Sequence, residues 1–221
     1  MKDSYKFILA MSAALVFIQT AYAQAPATGD TLAYFRLVHA AGIPGKVTVH
    51  LDSDDLQPEG YIFGQCTGAI GFPAKTYQIK VQHPALGELR LAMPLKPGSI
   101  NTLVIFSKLE RPKPGQAPKQ MLGYYILESP AEDKAKGHNL TLVQCTSQPS
   151  MDFDIAGHPL TVARLVPGVV RVKKSMGEFP AISTGGAMLC TLNFKDPQDT
   201  VVIIFADETG ALKAVSFGNS L

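Results

Sequence analysis

The sequence predicts an all-β protein made of two tandem, immunoglobulin-like antiparallel β-sandwich domains. Two observations support this prediction, the recurrence of short apolar stretches and an internal repeat, and the charge content bears on function. Short apolar stretches that end in Gly, Pro, Asp or Ser recur along the chain, without long helical periodicity. Only 17% of the 221 residues are charged and the formal net charge is +2, so no basic face for nucleic acid is indicated. The second half of the chain also repeats the apolar pattern of the first half.

The N-terminus has the layout of a secretory signal peptide, predicted over residues 1–23. Two lysines precede an apolar stretch over residues 7–20, and Ala-Tyr-Ala at residues 21–23 matches a cleavage site. We expect cleavage between Ala23 and Gln24, because the apolar stretch is shorter than the roughly 20 residues that span a bilayer. The mature chain is therefore expected in the periplasm or outside the cell, without a transmembrane anchor.

The first sandwich domain is predicted over residues 24–128, where strands are indicated by apolar alternation. Residues 76–82 and 89–95 each place apolar side chains on one face, and the loop HPALGE between them predicts a hairpin. The polar, charged segment SPAEDKAKGH at residues 129–138 is predicted to be a linker. The second sandwich domain then covers residues 139–221. Each domain is long enough for a core of its own.

An internal repeat supports the tandem arrangement. FRLVHAAGIPGKVTVHL at residues 35–51 is paralleled by LTLVQCTSQPSMDFDI at residues 140–155, and each has a Pro-containing break between two strands. TVVIIF later in the chain parallels TLVIF, a stretch so apolar that it predicts a strand buried on both faces. The alignment places His39 opposite Gln144, which favours a strand-edge hydrogen bond over a catalytic role for His39.

The cysteines predict neither a metal site nor a cofactor. Cys66, Cys145 and Cys190 show no CxxC pair and no zinc-ligand spacing. An exported protein can oxidise cysteine pairs, and a Cys145–Cys190 bridge is the candidate because both residues lie in the second predicted domain. The alternative is that all three are small buried apolar residues.

A basic, proline-rich loop at residues 108–120 is the candidate partner-binding segment. Its prolines favour an extended conformation, which could contact an acidic polysaccharide or a protein partner. The alternative is a solvated hairpin loop kept soluble by its charge. The basic residues concerned are Lys108, Arg111, Lys113 and Lys119.

No catalytic residue is predicted. The chain has no G-x-S-x-G motif, and its acidic stretch LDSDDLQPEG lacks the later positions of an EF-hand calcium loop. A Ser–His–acid set assembled from separate loops stays open as an alternative, because it leaves no local pattern in a sequence.

Three blocks of the sequence resemble a bacterial family of exported domains of unknown function. Members of that family begin with an RVVHASPDA strand, which residues 36–40 match, and continue with an alternating V-D-V-Y strand, which residues 47–51 match. A later L-P-A-G-x-Y-x-L-x-V strand is matched by residues 73–81, except that Lys75 replaces the usual glycine. The tandem layout is also similar to that of the periplasmic accessory proteins of alginate O-acetylation. That resemblance implies two β-sandwiches and a non-catalytic adaptor role between acetyl-transferring components.

Together these observations predict a non-catalytic exported adaptor or binding protein in exopolysaccharide assembly or O-acetylation. The expected partners are proteins of the cell envelope or an acidic polysaccharide. Two alternatives remain: an extracellular module for carbohydrate binding or adhesion, and an esterase.

Overall fold

Sixteen β-strands make up nearly all of the regular structure that the computed structural model describes, which covers residues 32–110, 115, 117–130, 138–173, 176–193 and 199–218. The first half of the chain forms β1 (Leu32–Ala40), β2 (Thr48–Leu51), β3 (Asp54–Asp55), β4 (Ile70–Pro73), β5 (Thr76–His83), β6 (Gly87–Pro94), β7 (Ser99–Leu109) and β8 (Gln120–Pro130). The second half forms β9 (His138–Gln144), β10 (Ser150–Ile155), β11 (His158–Ala163), β12 (Gly168–Val172), β13 (Ala181–Thr184), β14 (Ala187–Thr191), β15 (Thr200–Ala206) and β16 (Leu212–Gly218). Within these ranges there is no α-helix, and so none that could cross a membrane.

The strands form four sheets of four strands, and the second half repeats the strand order of the first. Sheet I has the order β3-β2-β5-β6 and sheet II the order β4-β1-β7-β8. Sheet III has the order β12-β9-β15-β16 and sheet IV the order β11-β10-β13-β14. Adding eight to each strand number converts sheet II into sheet III and sheet I into sheet IV. The internal repeat of the sequence therefore corresponds to a repeated topology.

The prediction that the sheets are wholly antiparallel is wrong for sheets II and III. In sheet II, β1 runs parallel to β7, with His39 opposite Ile105. In sheet III, β9 runs parallel to β15, with Gln144 opposite Ile204. Parallel neighbours require a long crossover, which the chain from β2 to β6 supplies in the first half and the chain from β10 to β14 in the second. Within these crossovers all strands except β4 and β12 form the facing sheets I and IV. The two matching registers confirm that His39 and Gln144 are equivalent positions.

Three apolar clusters hold the sheets together as four layers in the order I, II, III, IV. The first cluster lies between sheets I and II and the second between sheets III and IV. The third lies between sheets II and III, where each half contributes equivalent positions of the same face. The equivalent pairs are Val38 and Val143, Ala40 and Cys145, Val104 and Ile203, and Phe106 and Phe205. Sheets II and III are consequently covered on both faces. This confirms the prediction that TLVIF forms a strand buried on both faces.

Of the local predictions in the first half, the hairpin is confirmed and the bounds of two loops are wrong. The predicted hairpin is formed by β5 and β6, where Tyr77 pairs with Met93 and both side chains are buried. The ends of two predicted loops are regular strand, since β7 continues to Leu109 and β8 covers residues 120–130. Of the predicted linker at residues 129–138, the central residues 131–137 lie outside the described ranges, as do the signal segment 1–23 and its cleavage site.

Candidate functional site

A cleft opens where the carboxyl ends of β1, β7, β9 and β15 meet. We call it the inter-half cleft, because both halves of the chain line it at equivalent strand ends. It has a volume of about 360 Å³. Parallel neighbouring strands place their carboxyl ends at the same edge of a sheet, so the mixed pairing of sheets II and III gathers four strand ends here. The lining includes Ala40, Gly42, residues 107–109, residues 145–147 and residues 206–208.

Two cationic side chains line this cleft, Lys108 at the end of β7 and Arg164 in the loop before β12. Lys108 is exposed and forms no ion pair among the described residues. The Arg164 guanidinium lies 5.8 Å from the centroid of the Phe106 ring. Its Nε atom is buried and has no hydrogen-bond partner within the described structure. A buried donor without a partner is costly, so this end of the cleft can accept an oxygen ligand favourably.

A strained turn holds Arg164 in the cleft wall. The Arg164 amide donates to the carbonyl of Pro149 at 2.8 Å, and the next amide, that of Leu165, donates to the carbonyl of Gln144 at 3.0 Å. Leu165 has a φ of +57°, a left-handed conformation that costs energy for a residue with a Cβ atom. A strained conformation persists only where surrounding contacts stabilise it. Here the two backbone hydrogen bonds do so, and they anchor Arg164 to the end of β9.

The two acidic residues of the cleft, Asp207 and Glu208, differ in whether their carboxylates already have partners. Asp207 Oδ1 accepts hydrogen bonds from Thr209 Oγ1 at 2.6 Å, from the Thr209 amide at 2.9 Å and from the Ala211 amide at 3.0 Å. These bonds, with Lys213 Nζ at 3.6 Å from Oδ2, hold the pKa of Asp207 below its usual range. Asp207 is therefore an ionised turn residue. Glu208 is exposed beside it and forms no ion pair among the described residues.

The Cys145 thiol lies in the cleft wall but is not activated. Burial raises its pKa to about 12, although Arg164 nearby lowers it. The thiolate is the nucleophilic form of cysteine, so this thiol is inert near neutral pH. None of the histidines that the structure describes lines the cleft, so no imidazole stands ready there to take a proton from the thiol.

The predicted Cys145–Cys190 bridge is not present. All three cysteines are free thiols. Cys145 belongs to the cluster between sheets II and III, whereas Cys190 packs on the cluster between sheets III and IV. Sheet III separates the two side chains. The prediction considered only that both cysteines lie in the second half, and not which face of its sheet each side chain occupies.

The structure brings one residue of the predicted basic loop into the cleft. Lys108 lines it, whereas Lys119 is exposed at the start of β8, where its carbonyl accepts a hydrogen bond from the Glu110 amide at 2.8 Å. Arg111 and Lys113 fall outside the described ranges. No sequence pattern points to Arg164, because it lies far along the chain from Lys108 and in no recognisable motif.

His39 is fully buried, and the hydrogen bond predicted for its side chain is not formed. Neither ring nitrogen has a partner among the described residues. The equivalent Gln144 is also fully buried but is well partnered. Its Oε1 accepts from the Thr146 hydroxyl at 2.8 Å and its Nε2 donates to the carbonyl of Gln148 at 3.0 Å. The two halves have thus diverged at this position.

No group of three or more His, Cys, Asp or Glu side chains suited to a metal ion occurs among the described residues. Comparison with known proteins finds no family model and no curated relative that matches this chain. The resemblances of its sequence blocks to exported families therefore remain expectations, and the geometry of the cleft carries the functional argument.

Proposed function

We propose that this chain is a non-catalytic exported binding protein, an adaptor in exopolysaccharide assembly or O-acetylation, and that its inter-half cleft binds a uronate-bearing polysaccharide. The observation that carries the proposal is that Lys108 and Arg164 line one cleft and that neither forms an ion pair with a carboxylate among the residues that the structure describes. A ligand carboxylate would supply the missing partner. Charge-assisted bonds of this kind are roughly twice as strong as neutral ones.

The rest of the lining suits a polyhydroxylated chain. Ser107, Ser147 and Gln120 provide hydroxyl and amide groups, which can donate to and accept from sugar hydroxyls. Glu208 supplies a free acceptor for the same hydroxyls. Because the cleft holds acids as well as bases, recognition depends on directed hydrogen bonds more than on net charge.

Three features support a binding role rather than catalysis. The one thiol in the cleft wall is held in its protonated form by burial. The Asp207 carboxylate is occupied by the turn that contains it. The strand ends that line the cleft belong to the two central sheets, each packed on both faces, which makes a rigid scaffold for a preformed site.

The finer fold proposal is that each half is a separate immunoglobulin-like sandwich domain, residues 24–128 and 139–221. In support, each half has two facing sheets with their own apolar cluster between them. The third cluster would then be the interface of the two domains.

Calorimetric titration with oligouronates and with neutral oligosaccharides of equal length tests the proposed function. We expect binding of the oligouronate alone, weakened by added salt. Arg164→Gln and Lys108→Gln should each weaken it by roughly tenfold, the loss expected for one charge-assisted contact. Lys173→Gln, at an exposed lysine that does not line the cleft, is the matched control.

Two outcomes would contradict the proposal. Equal affinity of Arg164→Gln and Lys173→Gln would remove the cleft from the binding site. Equal binding of the neutral oligosaccharide would instead support the carbohydrate-binding or adhesion module.

A further inference from the structure

Two histidines from facing sheets meet at one end of the core of the first half. His39 is the last inward-facing residue of β1 and His83 the last inward-facing residue of β5. Their exposed fractions are 0% and 3%. The ring centroids lie 6.0 Å apart, with an interplanar angle of 75°. Phe63 covers the outer side of the pair, with its ring centroid 6.1 Å from that of His39.

Three of the four ring nitrogens in this pair lack a hydrogen-bond partner among the described residues. They are Nδ1 and Nε2 of His39 and Nε2 of His83. His83 Nδ1 is an acceptor, since the amides of Ala85 and Leu86 donate to it at 3.1 and 3.2 Å. The donors at Nδ1 require the neutral form of His83 with its proton on Nε2. Buried polar atoms left without partners are rare and call for a functional explanation.

The AGIPG loop, residues 41–45, closes over both rings. A Cβ atom on Gly45 would lie 2.9 Å from His83 Nε2, so the loop backbone touches the ring. The carbonyl of Gly45 lies beside His39 and that of Ile43 beside His83, where each raises the pKa of its neighbour slightly against the larger effect of burial. Neither carbonyl forms a hydrogen bond with a ring nitrogen of its neighbour.

The other side of the same loop forms part of the inter-half cleft. Gly42 and Ile43 line it together with Asp207 and Glu208. Ile43 also lines an adjoining depression with Phe63 and Asp207. A movement of the AGIPG loop therefore alters the wall of the cleft as well as the cover of the histidine pair.

No opposite charge is in place to receive a proton on the pair. Neither ring forms an ion pair with any described carboxylate. Lys46 and Glu88 border the depression beside His83, but Glu88 already lies 3.6 Å from Lys80. Beyond Phe63, Asp207 is committed to Lys213 and its own turn. Arg36 is the charged residue of β1 nearest in sequence, and it projects from the opposite face of that strand.

Burial therefore disfavours the charged form of both imidazoles. It lowers the pKa of His83, and it lowers that of His39 to about 4, with repulsion from His83 as the second cause. A proton taken up by either ring would place an unpaired charge under the loop. The least disruptive response is for the loop to lift and admit water, because it packs less deeply than the strands.

We infer that the His39–His83 pair is an acid-sensitive latch for the AGIPG loop. While both rings are neutral the loop stays closed over them and completes the wall of the inter-half cleft. When the pair takes up a proton the loop is released, and the cleft loses that wall. The latch goes beyond the proposed function, since its test needs no polysaccharide.

Hydrogen exchange followed by mass spectrometry tests this inference on the full chain, near neutral pH and at about pH 4. After correction for the intrinsic rate, we expect peptides over residues 41–46 to lose roughly tenfold or more in protection in acid, while those over residues 150–163 keep theirs. His39→Gln, which installs the residue found at the equivalent position of the second half, should remove most of this loss. His158→Gln, at an exposed histidine, should behave as wild type.

An equal loss of protection in wild type and His39→Gln would overturn the latch, as would a loss spread evenly over the protein. A second measurement covers the case in which His39→Gln fails to fold. Proton NMR of the wild-type histidine rings should show two rings whose pKa values lie below the ordinary value for histidine, together with shifts of the loop amides. Rings that all titrate alike, or loop amides that do not follow them, would equally refute it.

Discussion

Gly42 lies directly against the carbonyl oxygen of Ala206, so that a Cβ atom on Gly42 would fall 2.0 Å from that oxygen. The first residue belongs to the AGIPG loop after β1 and the second ends β15, so this contact joins the two halves of the chain. Backbone cannot move aside as a flexible side chain would. Gly42 is thus required by the close approach of sheets II and III and not by an unusual φ.

Gly42→Ala should destabilise the protein by roughly 1–3 kcal/mol, the usual cost of overpacking. Urea denaturation followed by circular dichroism measures the change. Gly68→Ala is the control, because nothing lies within 4 Å of the position of its added Cβ. If both variants unfold at the same urea concentration, the close contact between the halves is refuted.

The stability of the protein should fall in acid partly because of His39. The unfolded side chain has a pKa near 6.5, whereas that of the folded one is lowered to about 4. Between these values the unfolded state binds more protons, so the free energy of unfolding decreases as the pH falls through this window. The expected loss is roughly 3 kcal/mol in wild type relative to His39→Gln.

Thermal or urea denaturation of both proteins across this pH range measures that difference. Asp52, Glu88 and Asp207 also have lowered pKa values and lose their stabilising ionised form in acid. They are present in both proteins, so their contribution cancels. Parallel pH profiles for wild type and His39→Gln would show that His39 is not buried in its neutral form.

Arg36 and Phe217 should be energetically coupled across the interface of the two halves. The Arg36 side chain is 4% exposed, burial lowers its pKa, and its guanidinium carbon lies 4.5 Å from the centroid of the Phe217 ring. A desolvated cation over an aromatic face is worth roughly 1–2 kcal/mol. A double-mutant cycle of Arg36→Met and Phe217→Leu should show coupling of that order, and additive losses would contradict the contact.

The thiols should be free and differently accessible. Burial raises the pKa of Cys66 to about 11 and that of Cys145 to about 12. Cys145 should therefore resist a thiol reagent in the native protein, while Cys66, half-buried, reacts slowly. Alkylation of the unreduced protein in denaturant should label all three cysteines by mass. Alkylation of only one cysteine would instead indicate that the other two form a disulfide, as the sequence analysis suggested for Cys145 and Cys190.

Much of the local structure could be predicted because alternation is a short-range signal. Tyr77, Ile79 and Val81 were assigned to one face, and all are buried. The same alternation reaches His83, two residues further, and would have placed that ring inside. The predicted strand stops at residue 82, because His83 begins the predicted HPALGE loop, so the end of the buried row was missed.

The candidate site could not be predicted because it depends on how sheets stack. Lys108 and Arg164 line one cleft only because sheets II and III pack face to face and because β1 runs parallel to β7 and β9 parallel to β15. A continuous apolar stretch such as TLVIF indicates burial on both faces, which occurs in parallel sheets and in covered antiparallel sheets alike, so it does not establish the strand direction. The failed Cys145–Cys190 pairing has the same origin, because the faces concerned are defined only once the layers are known.

Lys108 and Asp207 occupy equivalent positions in the two halves, one residue beyond the matched Ser107 and Ala206, and both line the same cleft. Two separate copies of a single half, meeting through the same face, would have to present the same side chain twice. A covalently joined pair is released from that requirement. Because the two repeats are fused, one side of the inter-half cleft can carry a cation where the other side carries an anion. An otherwise symmetric cleft thereby acquires a direction, along which an asymmetric polymer can be oriented.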